Sequence, residues 1–148
     1  MRIVLLADAF PPLRSSGAVQ LRDLCQEFVR QGHHVDVLVA SPDLPSLWAV
    51  EEVGCMRTVR LRTFRSKDVG YLRRVLGEFL MPFLMLHRLR STPLWAERWE
   101  GVVWYSPTIF LGPLAMILKM RCRCRAYLIV RDVFPEWAAD MGLMGRGL

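Results

Sequence analysis

A chain of 148 residues makes one domain, which on folding buries roughly two thirds of the surface its unfolded form exposes. Its hydrophobic content of 53% is high for a free-standing soluble domain and predicts surface covered by a partner, a second domain or a membrane. A formal net charge of +6 favours anionic partners such as lipid headgroups, nucleic acid or phosphorylated substrates. The first apolar run is too short for a signal peptide and lacks a small-residue cleavage site. Cys25, Cys55, Cys122 and Cys124 show neither a disulfide framework nor zinc spacing, and Cys122 and Cys124 stand too close for a redox pair. They read as reduced cytoplasmic thiols, and no metal site is expected.

The stretch from Met1 to Gly32 reads as strand, loop and helix. Ile3-Val4-Leu5-Leu6 is a continuous apolar run, as a strand buried on both faces requires. Pro11-Pro12 excludes helix or ladder from the loop. Ser15 or Ser16 can cap the helix that follows. Ala18, Leu21, Cys25 and Phe28, with Leu24 beside them, fall on one face of it. Gly32 suits the left-handed position after the helix. Val35 to Val39 returns as a second buried strand, completing a βαβ unit whose crossover should be right-handed. A helix N-terminus that follows the carboxyl end of a parallel strand attracts anions, and Gly17 would let a phosphate approach closely. Ser16-Gly17 is otherwise only a helix start. The three-glycine dinucleotide fingerprint and the Walker lysine motif are both missing, which argues against a P-loop nucleotidase.

Ser41 to Val53 reads as a Pro-punctuated connection, and Thr58 to Phe64 as a third strand near the sheet edge, where charged residues are tolerated. In Val69 to Arg90, Leu72, Leu76, Phe79, Phe83 and Leu86 make a helical stripe, with Pro82 expected to kink or divide the helix. The apolar run from Phe79 to Leu86 is too short to span a bilayer. Arg73 and Arg74 precede it and Arg88 and Arg90 follow it, a pattern that suits a helix lying in an anionic membrane interface. Arg73, Arg74, Phe79, Phe83 and Leu86 are therefore the expected membrane contacts, against the plainer reading of a core-packed helix with solvated arginines.

Leu94 to Glu100 reads as a short helix and Val102 to Tyr105 as a fourth strand. Ser106-Pro107 is a helix start, with Thr108 to Lys119 buried against the sheet and Pro113 marking a kink or a later true start. Arg121 to Arg125 is a basic turn and Ala126 to Val130 a fifth strand. Arg131 and Asp132 follow at the carboxyl edge, where open parallel sheets bind their ligands. The fold class is therefore α/β: a Rossmann-like parallel sheet of about five strands with helices on both faces.

Two stretches resemble family 4 glycosyltransferases, which are retaining, two-domain GT-B enzymes using nucleotide-sugar donors. One runs from Met1-Arg2-Ile3-Val4-Leu5-Leu6 through Phe10-Pro11-Pro12 and Gly17-Ala18 to Gly32-His33-His34-Val35-Asp36-Val37. The other is Leu128-Ile129-Val130-Arg131-Asp132-Val133-Phe134-Pro135-Glu136. The resemblance is closest to the branch that builds bacterial surface polysaccharides, including fucosamine-type transferases. It covers nearly the whole chain but only the amino-terminal, acceptor-side domain of the family.

What the resemblance implies is a nucleotide-sugar donor as substrate, no further cofactor, and a saccharide or lipid-linked acceptor, at the inner face of the plasma membrane. Ser16 and Gly17 occupy the loop that faces the donor diphosphate. Many members carry His-Asp where this chain has Arg131-Asp132, so the His role is vacant or taken by Arg131. Asp132 would orient an acceptor hydroxyl or fix the loop, or else bond helix-entry amides near Pro135. Ser106 and Glu136 complete the expected substrate-binding set. The donor-binding domain would lie beyond Leu148, so the chain reads as a truncated domain, inactive alone. The alternative is a non-catalytic, membrane-docking or acceptor-binding subunit that needs a separate donor-binding chain. No aromatic-basic recognition motif supports nucleic-acid binding.

Overall fold

The computed structural model describes residues 1–64, 71–105 and 109–130, with side chains from residue 76 in the second stretch and from 110 in the third. Strand β1 (Arg2–Ala7) is followed by helix α1 (Ser16–Arg30) and β2 (His34–Ser41). Then come β3 (Trp48–Val53), β4 (Met56–Arg62), α2 (Tyr71–Arg90), β5 (Gly101–Tyr105), α3 (Gly112–Cys122) and β6 (Arg125–Ile129). The sheet order is β3-β4-β2-β1-β5-β6, with every pairing parallel except β3 with β4.

The central strands are buried on both faces, which is why β1 and β2 read as unbroken apolar runs. Ile3, Leu5, Val35, Val37 and Val103 turn to the side covered by α1 through Leu21 and Cys25. Val4, Leu6, Leu38, Val59, Leu61 and Val102 turn to the opposite side, under α2 and α3. Helices thus cover both faces, as expected for this class. Ser15 is the cap of α1, its hydroxyl accepting from the Ala18 amide at 3.2 Å, and Gly32 takes the positive φ of 83° just beyond the helix.

Several expectations are corrected. The stretch taken as a connection contains β3, whose residues pair from Trp48 opposite Leu61 to Val53 opposite Met56. Among the described residues the sheet therefore has six strands, and β4 lies one strand in from the edge, which β3 forms. Its arginines are tolerated because each finds a partner: Arg57 bonds Asp36, Arg60 the Pro11 carbonyl and Arg62 the Pro45 carbonyl. The expected helix over Leu94 to Glu100 is only a 3-10 turn at Pro93–Ala96, beyond which Trp99 inserts into the core. α3 starts at Gly112 after a 3-10 turn at Ile109–Leu111, the later start that Pro113 marked, and Pro113 sits in the first helical turn, where its missing amide costs nothing. α3 is also not wholly buried, since Met116 and Met120 face outward. Pro82 does not divide α2.

The stripe assigned to α2 keeps Leu76, Phe79 and Phe83 on one exposed face and departs at Leu86. Met81, Met85, Leu86 and Leu89 face the core, whereas Leu76, Phe79, Leu80 and Phe83 are exposed. Leu86, expected at a membrane, is a core residue, because the helix is apolar on two faces and only the inward one meets the sheet.

Burial also sorts the thiols. Cys25 is fully buried on the inner face of α1, and loss of hydration pushes its thiol up to about 12. Cys55 is exposed in the β3–β4 turn. At pH 8 a maleimide is expected to modify Cys55 first and Cys25 only after denaturant is added; mass mapping showing prompt labelling of native Cys25 would contradict this packing.

Candidate functional site

Five strands, β1, β2, β4, β5 and β6, run in parallel, so their carboxyl ends form one edge of the sheet. Ligands of open α/β sheets bind outside that edge. The loop leaving β1 there comprises residues 8–15 and includes a cis Pro11-Pro12 bond. It is anchored twice, and the helix it leads into is tied once more. Phe10 is buried in the α1-side core, and its carbonyl accepts from the Leu13 amide at 3.2 Å. The Arg60 guanidinium donates to the Pro11 carbonyl and lies 3.7 Å from a Glu51 carboxylate oxygen. The Tyr105 hydroxyl, at the end of β5, bonds Gln20 in the second turn of α1 at 3.0 Å.

These anchors fix the N-terminus of α1 against the strand ends. Ser16 is exposed there and Gly17 half-buried beside it. The first turn of α1 contains no acidic residue, so no carboxylate of that turn sits on the positive end of its dipole. An anion reaching this edge would meet a helix end with the Arg60 cation close to the loop that leads into it. Arg60, Tyr105 and Gln20 were not singled out from the sequence. The only signal for them is placement: a cation within the strand pattern of β4, and a hydroxyl on the last residue of an otherwise apolar strand.

Of the expected site residues, the structure places Ser16 and Gly17 together at this edge. Ser106, Arg131, Asp132 and Glu136 lie outside the described residues; β5 and β6, the strands that precede them, both end on the same edge. The side chains of Arg73 and Arg74 are likewise outside the described set. Phe79 and Phe83 are exposed with ring centroids 6.1 Å apart, and Leu86 is turned away from them into the core.

The densest charge cluster lies at the opposite end of the strands. Asp36, buried on β2, accepts two bonds from Arg57 at 2.6 and 3.0 Å and one from the Trp99 indole at 2.7 Å, with Arg2 3.5 Å away. Glu97 pairs with both arginines. The hydrogen bonds to Asp36 raise the Arg57 pKa above its ordinary value. Every member of this cluster has a protein partner, and it stands away from the ligand edge, so its role is to hold β1, β2 and β4 to the segment before β5. Among the described residues, no group of His, Cys, Asp and Glu could hold a metal ion. None of the described helices is long and apolar enough to cross a membrane.

The fold is that of a Rossmann-like domain of the GT-B type. The chain is similar to sucrose-phosphate synthase from Thermosynechococcus elongatus, with 14% identity and a TM-score of 0.67 over 93% of this chain and 35% of that one. It is similar to the catalytic domain of starch synthase IV from Arabidopsis thaliana, bound to ADP and acarbose, with 12% identity and a TM-score of 0.64 over 88% and 34%. It is also similar to the E. coli trehalose-6-phosphate synthase bound with UDP-2-fluoro glucose, with 13% identity and a TM-score of 0.60 over 91% and 34%. The chain therefore spans about a third of the length of each. No family model and no curated protein matches it.

Proposed function

We propose that this chain is the acceptor-side domain of a retaining, family 4-type glycosyltransferase. It would act in cell-surface polysaccharide synthesis, moving a sugar from a nucleotide sugar to a saccharide or lipid-linked acceptor. The observation that carries this reading is the capped, acid-free N-terminus of α1 held at the carboxyl edge of a GT-B sheet. In such a transfer the bond from the sugar's anomeric carbon to the nucleotide diphosphate breaks. A new bond forms from that carbon to the acceptor oxygen, and the hydroxyl proton leaves with the diphosphate. Charge builds on the leaving diphosphate, so groups that stabilise it there lower the barrier. Ser16 and Gly17 would present the helix end to it, and Arg131 would add a positive charge. Asp132 would orient the acceptor hydroxyl, with Ser106 and Glu136 completing the substrate contacts. The nucleotide sugar would be held from the other side by a donor-binding domain or partner chain.

The test is Ser16→Asp, made in the native polypeptide and assayed with labelled nucleotide sugars and native membrane extract as acceptor source. A carboxylate in the first turn should stabilise α1 by about 0.3–1 kcal/mol. The same carboxylate should repel the diphosphate and lower kcat/KM about tenfold or more. Transfer unchanged in Ser16→Asp would remove this helix end from the mechanism. A folded native protein that transfers no sugar would leave the non-catalytic, acceptor-binding subunit as the reading.

A further inference from the structure

The outward face of α2 is apolar where the fold gives it nothing to cover. Leu76, Phe79, Leu80 and Phe83 follow one another at three- and four-residue steps, all exposed, with the two phenylalanine rings in contact. Single exposed apolar side chains are ordinary, but a contiguous stripe of four marks an interaction surface. The stripe continues into polar and basic groups: His87 and Arg90 lie on the same face one and two turns further on, and both are exposed. Arg90 also stacks on Trp95 at 5.3 Å, which fixes where that cation sits. Neighbouring α3 adds exposed Met116 and Met120, and its last turn carries Lys119 and Arg121. Among the described residues 76–90 the only acid is Glu78, half-buried beside the stripe.

Connectivity sets the direction of this face. β4 ends at the ligand edge and β5 begins at the opposite one, so α2 between them runs from the first to the second. The apolar half of the stripe is thus nearest the edge that carries Ser16 and Gly17.

We propose that the outward face of α2 docks on an anionic lipid bilayer, with Leu76, Phe79, Leu80 and Phe83 in the acyl boundary and His87 and Arg90 among the headgroups. A bilayer offers an apolar layer and an anionic layer side by side, which is the arrangement the stripe complements. The basic balance of the chain, +6, favours the same partner. Docked this way, the domain holds its ligand edge at the membrane surface. The docking stands independently of the sugar-transfer reading.

The test is co-sedimentation of the chain with phosphatidylcholine vesicles, with and without phosphatidylserine, at physiological salt. The protein should sediment with the anionic vesicles and much less with the neutral ones. Phe79→Ser/Phe83→Ser should lower partition roughly tenfold or more, whereas Val53→Ser, an exposed apolar side chain at the far sheet edge, should leave it unchanged. Leu76→Ser/Leu80→Ser repeats the test should the phenylalanine variant fold poorly by circular dichroism. Absence of vesicle binding by the unaltered chain, or stripe variants that bind as strongly as the unaltered chain, overturns the proposal. So does a stripe variant that only changes the oligomeric mass without vesicles, which would make the face a protein contact. No sugar enters this assay, so its failure leaves glycosyl transfer standing.

Discussion

Asp36→Ala is expected to destabilise the fold by about 2–4 kcal/mol, the cost of leaving a buried indole N–H without its acceptor and the half-buried Arg57 short of a counter-charge. Asp36 is 2% exposed and holds three elements at once: Arg57 from β4 by two bonds, the Trp99 indole from the segment before β5, and Arg2 at the start of β1. Removing the carboxylate strands the buried part of Arg57 and leaves a buried indole N–H without its acceptor. Asp36→Asn should cost less, since its amide oxygen can still accept from Trp99. Urea unfolding monitored by far-UV circular dichroism checks both. A loss below about 1 kcal/mol for Asp36→Ala would mean that the arginines reach solvent when released and that the cluster holds nothing together.

The second large effect lies on α2. Met85→Ala should cost about 2–5 kcal/mol, because Met85 is fully buried in the core cluster on this side of the sheet and its removal opens a cavity. Phe83→Ala, two positions away and 47% exposed, should change stability by no more than about 0.5 kcal/mol. The comparison tests the phase of the helix directly. If Phe83→Ala proved the costlier change, the inward and outward faces would have to be exchanged, and the membrane-facing stripe with them.

That helix shows where sequence reasoning reaches its limit. Periodicity reports an apolar face only when the opposite face is polar. Between Phe79 and Leu86 no polar residue interrupts the run, so the pattern fits several phases. The phase that includes Leu86 put a core residue at the membrane. Strand β3 was missed for a related reason: Pro42, Pro45 and the acidic pair Glu51-Glu52 suggest a loop, and only pairing with β4 makes Trp48–Val53 a strand. An exposed edge tolerates such residues because one side of its backbone and most of its side chains remain in water. The loop anchors Arg60, Tyr105 and Gln20 left no local signal, since each acts on a segment distant in sequence.

The sequence by itself determined the αβ alternation, the buried parallel strands and the capped start of α1. These follow from short-range rules: continuous apolar runs for strands covered on both faces, serine before a helix, glycine after it. It also carried the motif order that pointed to a GT-B domain, which the sheet and its structural neighbours bear out at the level of fold. Only the tertiary structure decided which side of α2 meets the core, that β4 is interior, and that Asp36 joins Arg57 and Trp99 across the sheet. Those outcomes depend on which surfaces meet, and contact between residues far apart in the chain is fixed by packing rather than by local pattern.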